Sequence, residues 1–97
     1  MTANHKLSAL LKGRAVTTVS SQDAETLMTF SDGSAMTVQT NGAVTGGTPG
    51  AVVRAVRQAD TTLIVDFEAG ASMQITTAEA ASSVMVRDRS HVLEYAD

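Results

Sequence analysis

One stretch of this sequence occurs twice. Residues 13–40 align on residues 50–77 without a gap when they are shifted by 37 positions. The identical pairs are Gly13/Gly50, Val16/Val53, Val19/Val56, Asp23/Asp60, Phe30/Phe67, Gly33/Gly70, Met36/Met73 and Thr40/Thr77. An ungapped self-match over most of a small chain is typical of proteins built from repeated structural units. The sequence therefore predicts an internal repeat, with one copy in each of these two ranges.

The second half of each repeat has the pattern of a β-hairpin. Residues 26–30 and 63–67 are apolar and partly β-branched, as strands are, and residues 34–40 and 71–77 are similar. A short break that contains glycine separates the two segments in each copy. A strand, a glycine-containing break and a second strand together indicate a hairpin.

The loop length of each hairpin can be inferred from its apolar residues. A two-residue loop leaves apolar side chains on both faces, whereas a three-residue loop collects nearly all of them on one face. Because a slip of one residue exchanges the faces, burial of the apolar face should select the three-residue loop. We therefore expect a type I turn followed by a G1 bulge, with Gly33 and Gly70 at positive φ. The expected cross-strand pairs are Thr26/Val38, Met28/Met36, Phe30/Ser34, Leu63/Ile75, Val65/Met73 and Phe67/Ala71.

The first part of each repeat, residues 14–20 and 51–57, is rich in Val, Ala and Thr. The valines that the two copies share are three residues apart, which fits neither strict alternation nor a long helix and favours a strand with a bulge. Each repeat is then a three-stranded antiparallel meander. One meander cannot bury its apolar face alone, but two meanders related by a pseudo-twofold axis can cover each other.

The segments outside the repeats predict two short helices. Residues 4–12 should form the first, because Asn4 is a good N-cap, three leucines form an apolar stripe and a glycine follows the last turn. Thr76 and Glu79 have the spacing of a capping box, which predicts a second short helix over residues 78–83.

Residues 41–49 contain three glycines and the only proline and should form the linker between the copies. This segment contains no lysine and precedes a β-region, so it lacks the context of a phosphate-binding loop. The C-terminal residues 78–97 should end in a hairpin with strands over residues 84–88 and 91–95. The expected core includes Val84, Val86, Leu93 and Tyr95 of this hairpin, together with Met28, Met36, Met73 and Met85.

Together, these patterns predict a single domain over residues 1–97 that is mainly β with two short helices, an α+β chain. Its internally duplicated antiparallel meanders should form either a small barrel or a two-layer sandwich. Of the 97 residues, 43% are hydrophobic, but only Phe30, Phe67 and Tyr95 are aromatic. Such a core is thin, so burial against a partner subunit would stabilise it.

Composition excludes several classes of protein. The formal net charge of −3 argues against nonspecific nucleic-acid binding, for which a basic field supplies most of the affinity. The chain has no cysteine, so disulfides, thiolate catalysis and thiolate metal sites are excluded. The N-terminal apolar run is too short for a secretory signal, and no stretch approaches the ~20 apolar residues of a membrane helix. We therefore expect a soluble cytoplasmic protein with no membrane partner.

The sequence contains no recognisable catalytic, cofactor-binding or metal-binding constellation. The only histidines, His5 and His91, lack the spacing of a metal motif. Asp23 and Asp60 occupy equivalent places in the repeat, but both fall at predicted turns, where aspartate bonds its own backbone. Asp32 is explained in the same way. The serine pairs have no nucleophile-elbow context, so a catalytic triad is not expected.

Four arginines are the most informative polar residues. Arg54 and Arg57 occur in the second repeat only, and Arg87 and Arg89 lie on the last hairpin. If that hairpin packs beside the second repeat, the four side chains form a basic patch for a small anion, an acidic peptide or nucleic acid. The alternative is a solvated surface with ion pairs to nearby carboxylates. Nucleic acid is the less favoured ligand, because no aromatic residues are interleaved for base stacking.

Three functions are compatible with these patterns. The favoured hypothesis is a non-enzymatic β-rich binding or assembly module that acts as a homo-oligomer through exposed sheet edges. The second is a regulatory domain that binds a small anion or nucleic acid through the four arginines. The third is a small enzyme with a site between the repeats. The expected partner is another copy of the chain, and no cofactor is expected.

Overall fold

The computed structural model describes residues 2–22, 24–45, 50–79 and 84–96. This part of the chain is mainly β and antiparallel, with one short helix, α1, at His5–Leu11. The strands are β1 (Thr2–Ala3), β2 (Val16–Gln22), β3 (Glu25–Phe30), β4 (Ala35–Thr45), β5 (Val53–Ala59), β6 (Thr62–Phe67), β7 (Ser72–Thr77), β8 (Val84–Arg87) and β9 (Leu93–Ala96).

Helix α1 begins where its sequence predicts. The Leu7 N–H donates to Asn4 Oδ1 at 3.0 Å, so the N-cap prediction is confirmed. A helix this short is marginal alone and needs tertiary contacts. The Ser8 hydroxyl supplies them: it donates to the Val56 carbonyl at 3.0 Å and accepts from the Val56 N–H at 2.8 Å. The helix residues Leu7 and Leu11 are fully buried.

The second predicted helix is not confirmed. Thr76, its expected N-cap, is a strand residue of β7, and residues 78 and 79 are not helical. Residues 80–83 lie outside the described part of the chain. The neighbouring Thr77 hydroxyl donates to the Glu79 carbonyl at 2.7 Å, so a local side-chain bond is formed in place of a capping box.

Both central hairpins have the predicted register. Met28 pairs with Met36 and Val65 pairs with Met73, as burial of one apolar face requires. The Gly33 N–H bonds the Phe30 carbonyl at 3.0 Å, and an equivalent bond closes the turn at Gly70. Gly33 and Gly70 have φ values of 89° and 91°, so the G1-bulge prediction is confirmed.

The first strand of each meander contains the predicted bulge. The register of β2 against β3 shifts between Val16 and Thr18, and that of β5 against β6 shifts between Val53 and Ala55. The bulge lets Val16 and Val53 lie in the core although their spacing to the next buried residue breaks strict alternation.

The strand order is β1-β5-β6-β7-β4-β3-β2, and β8 pairs with both β4 and β9. The long strand β4 connects the two meanders, because its first half pairs with β3 and β8 while its second half pairs with β7. Among the described strands the sheet is not closed, which argues against the small barrel, one of the two expected architectures. Short segments before β2 and β5 approach each other at an isolated bridge, Ala15 to Val52, and backbone hydrogen bonds flank this bridge on both sides.

The contacts between the two meanders occur in pairs. The Gly13 N–H donates to the Val53 carbonyl at 2.9 Å, and the Gly50 N–H donates to the Val16 carbonyl at 2.6 Å. Gly13 and Gly50 are 37 residues apart, and so are Val16 and Val53. Exchanging the equivalent residues of the two repeats therefore turns one bond into the other. Thr40 and Thr77, which pair across β4 and β7, are also 37 residues apart.

The core lies between the meanders and is rich in methionine and valine. Met28, Met36 and Met73 are fully buried, as expected. Two expectations for the last hairpin were wrong, because Met85 is 38% exposed and Leu93 is 47% exposed. A register shift between β8 and β9 places Leu93 opposite Arg87, on the solvent side of the sheet.

Candidate functional site

One side of the sheet formed by β2, β3, β4, β8 and β9 faces solvent and carries apolar side chains. Cross-strand pairing places Leu27, Thr37 and Met85 in one row across β3, β4 and β8. The next row contains Ala35, Arg87 and Leu93. We name this surface the outer face and define it by Leu27, Ala35, Thr37, Met85 and Leu93.

The outer face holds most of the exposed large apolar side chains. Among the described residues, four large hydrophobic side chains are exposed, and Leu27, Met85 and Leu93 are three of them. The fourth, Val92, lies in the turn before β9. Single exposed apolar residues are normal on a protein surface, but their concentration on one face is typical of an interaction site.

Charged residues of opposite sign lie at the two ends of the outer face. Glu25 is at one end, where it accepts from Gln39 Nε2 at 3.2 Å. Arg87 is at the other end, opposite Ala35. Gln39 and Ala35 are four residues apart on β4, which corresponds to about 13 Å along a strand.

The equivalent surface of the second meander has the half-buried Ile64 at the position of Leu27, and polar side chains beside it. Arg57 donates from Nε and Nη2 to the two carboxylate oxygens of Asp66 at 2.7 and 2.9 Å. The hydrogen bonds that Arg57 donates to Asp66, and then the negative charge of Asp66, raise the pKa of Arg57. Asp66 occupies the position that corresponds to Thr29, and Gln74 the one that corresponds to Thr37. The two meanders therefore differ most in the character of their solvent-facing sides.

The four arginines of the predicted anion site fall on two separate elements. Arg54 and Arg57 lie on β5, and Arg87 and Arg89 lie on or just after β8. The last hairpin pairs with β4 of the first meander, and not with a strand of the second repeat as a single basic patch would require. Its anion-binding role stays a prediction.

A polar pocket of about 330 Å³ lies beside the turn of the last hairpin. It is bounded by the β3–β4 turn, the β8–β9 turn, strand β9 and Arg14, two residues before β2. Its lining consists of Arg14, Asp32, Ser34, Asp88, Arg89, Ser90 and Glu94. We name this site the polar pocket.

Arg14 is the centre of the hydrogen bonds in the polar pocket. Its guanidinium donates to both carboxylate oxygens of Glu94 at 3.2 and 3.1 Å and to the Ser34 hydroxyl at 2.8 Å. Its Nε lies 3.5 Å from Asp32 Oδ2. Only 16% of its side chain is exposed. This bidentate pair holds β9 against the first meander.

Asp32 is held as a carboxylate by the turn that it initiates. The Ser34 hydroxyl and the Ser34 N–H both bond Asp32 Oδ1 and lower the pKa of this carboxyl, with a smaller contribution from Arg14. Burial acts in the opposite direction but does not outweigh the hydrogen bonds. The role as a turn residue is confirmed, and the contact with Arg14 is added to it.

The lowered pKa of Asp32 predicts a specific pH dependence of stability. Its stabilising contribution should be complete above the unfolded pKa of about 3.9 and should be lost as the pH falls through the lower folded value. Asp32→Asn should therefore be less stable than wild type at about pH 5, and the difference should shrink towards about pH 2. Urea unfolding of both proteins across this range measures the difference, and a difference independent of pH would contradict the assignment.

Sequence reasoning did not identify Arg14, Ser34 or Glu94 as site residues, although a signal was present. Arg14, Asp32 and Ser34 correspond to positions 51, 69 and 71 of the second repeat, and all three of those positions are alanine. Such a set of differences between two similar copies marks a place where one copy has an additional contact. Here the contact is with the last hairpin.

The other chemical candidates have structural explanations. Asp60 has a φ of 49° in the β5–β6 turn, and Asp23 lies outside the described residues. His5 begins α1 and His91 lies in the last turn with a φ of 64°. Within the described ranges, no three His, Cys, Asp or Glu side chains are grouped to hold a metal ion. The one helix found there is too short to cross a bilayer.

The chain was compared with protein-family models, curated proteins and solved structures, and none of these comparisons found a match. The outer face and the polar pocket are therefore the features from which a function can be inferred.

Proposed function

We propose that this chain is a non-enzymatic, β-rich assembly module that acts as a homodimer, with the outer face as the contact between two copies. The observation that supports this proposal is the concentration of Leu27, Met85 and Leu93 on one solvent-facing sheet. Burying these side chains against a partner would remove apolar area from water, which is the main driving force of protein association. It would also extend a core that is poor in aromatic residues.

The charges of the outer face favour a second copy as the partner. In a twofold contact, each residue i of one copy meets residue j of the other, and j meets i. The outer face has a carboxylate, Glu25, at one end and a guanidinium, Arg87, at the other. A twofold axis between two outer faces can therefore place Glu25 of each copy near the partner's Arg87. Opposite charges at such positions fix the register of the contact.

The same proposal includes an internal duplication in which the two meanders are copies of one unit. Support comes from the ungapped repeat and from backbone bonds that interchange under a shift of 37 residues. Among the described residues, the second meander has no exposed large apolar side chain and carries the Arg57–Asp66 ion pair beside the half-buried Ile64. A single isologous contact through the outer face closes the assembly at two subunits, because both copies use the same surface.

Placing a charge at the centre of the outer face should separate the dimer. Met85→Glu should weaken the dimer by at least about 30-fold, or about 2 kcal/mol, because each subunit would bury an unpaired carboxylate. Val92→Glu is the matched control, since Val92 is 59% exposed and lies outside the outer face. Native mass spectrometry of the two variants and wild type over a dilution series measures the change.

Two results would contradict the proposal. One is an unchanged dimer in Met85→Glu. The other is equal weakening by Met85→Glu and Val92→Glu, which would assign the effect to net charge. Circular dichroism of each monomer checks that the substitutions leave the fold intact.

A further inference from the structure

The polar pocket contains more polar groups than its structural bonds use. Arg14 and Glu94 satisfy each other, and Asp88 Oδ1 accepts the N–H groups of Ser90 and Val92 at 2.8 and 3.0 Å. These bonds explain how the last hairpin is folded and attached. They do not involve the side chains of Arg89 and Ser90, which also line the pocket.

A cation remains available at one side of the polar pocket. The side chain of Arg89 makes no hydrogen bond or ion pair with any described residue, although it lines the pocket. Its stem lies across the β3–β4 turn, because a Cβ built on Gly33 would be 2.6 Å from Arg89 Cβ and 3.6 Å from Arg89 Cδ. The backbone of the turn therefore positions this guanidinium, and a guanidinium presents several donors suited to a carboxylate.

Acceptor atoms are also available in the polar pocket. Asp32 Oδ2 has Arg14 Nε at 3.5 Å as its contact among the described residues, and the Asp32 side chain is 51% exposed. The Ser90 hydroxyl also lines the pocket and has no hydrogen-bond partner in the described part of the chain. A carboxylate oxygen and a hydroxyl together are suited to an ammonium group.

The charges that line the polar pocket favour a ligand that carries both signs. Two arginines and three carboxylates line it, and one arginine is already paired. A plain anion would be repelled by Asp32 and Asp88, and a plain cation would be repelled by Arg89. A molecule with one charge of each sign can satisfy both sides. The volume of about 330 Å³ is at the lower end for ligand sites, which limits the occupant to a small molecule.

We propose that the polar pocket binds a small zwitterion of the α-amino acid class, with the ligand carboxylate on Arg89 and its ammonium group on Asp32 and Ser90. Of the two meanders, the first alone supplies Arg14, Asp32 and Ser34 to this site, because the second has alanine at the corresponding positions 51, 69 and 71. The proposal is independent of the dimer, since it depends on the pocket and not on the outer face.

Amide chemical shifts of the ¹⁵N-labelled protein test this proposal. The probes are each of the standard amino acids at millimolar concentration, with acetate and methylamine as single-charge controls. We expect at least one amino acid to shift the amides of residues 32–34 and 88–90, and neither control to do so. No shift of these amides by any amino acid would overturn the proposal. Equal shifts with acetate or methylamine would also overturn it, because they would indicate a site for a simple ion.

A matched pair of arginine variants identifies the residue that binds the carboxylate. Arg89→Gln keeps the stem over Gly33 and should weaken amino-acid binding at least about tenfold, through loss of a charged bidentate partner. Arg54→Gln makes the same charge change at an exposed residue of β5 and should bind as wild type does. Equal loss in both variants, or no loss in Arg89→Gln, would overturn the assignment.

Discussion

Phe67→Ala is expected to lower the free energy of unfolding by about 3–5 kcal/mol. Phe67 is 1% exposed and is among the largest of the fully buried side chains. Its removal leaves a cavity that the surrounding valines and methionines can fill only in part. Because a domain of this size has a total stability of about 5–15 kcal/mol, the variant should lose a large fraction of it. Urea unfolding followed by circular dichroism measures the loss.

Phe30→Ala provides the comparison, because Phe30 is the corresponding residue of the first meander and is 3% exposed. If the two meanders contribute equally to one core, the two variants should lose stability to within about 1 kcal/mol of each other. Leu27→Ala, at an exposed position, should change monomer stability by no more than about 0.5 kcal/mol. A loss below about 1 kcal/mol in Phe67→Ala would contradict the prediction that this side chain is a main part of the core.

Gly33→Ala should be clearly more destabilising than Gly70→Ala, although both glycines close equivalent turns. Each substitution places a side chain at a φ near +90°, which costs about 1–2 kcal/mol. At Gly70 nothing lies within 4 Å of the new Cβ, whereas at Gly33 it would be 2.6 Å from Arg89 Cβ. Relief of that overlap should add about 1–3 kcal/mol to the loss in Gly33→Ala.

A double-mutant cycle separates the two causes. In an Arg89→Gly background the overlap is absent, so Gly33→Ala should lose only as much stability as Gly70→Ala does. Thermal or urea unfolding of the single and double variants supplies the values. Equal losses for Gly33→Ala and Gly70→Ala in the wild-type background would show that Arg89 does not lie across the turn.

Local patterns were sufficient to predict the central hairpins. Their register follows from the alternation around Met28 and Met36, since any slip would expose the apolar face. The N-cap of α1 also follows from local chemistry at Asn4. The last hairpin was predicted less well, because a bulge between β8 and β9 changes which side of the sheet Leu93 faces. Four-residue strands carry too little alternation to reveal such a bulge.

The candidate sites depend on tertiary packing that the sequence pattern does not contain. The arginine patch required the last hairpin to lie beside the second repeat, and local sequence does not decide which edge of the sheet the hairpin chooses. Its pairing with β4 makes Arg14 and Glu94 partners across 80 residues. The three alanines at positions 51, 69 and 71 were the available signal, and their meaning depends on knowing where the hairpin packs.

Sedimentation equilibrium of the wild-type protein tests the central claim most directly. The measurement should span about 1 to 100 µM, the range in which a modest dimer forms and dissociates. The proposed contact through the outer face predicts a mass that rises to twice the 10.0 kDa of one chain and does not exceed it. A mass of one chain at every concentration would contradict the assembly function, and a mass that continues to rise would contradict the closed twofold contact.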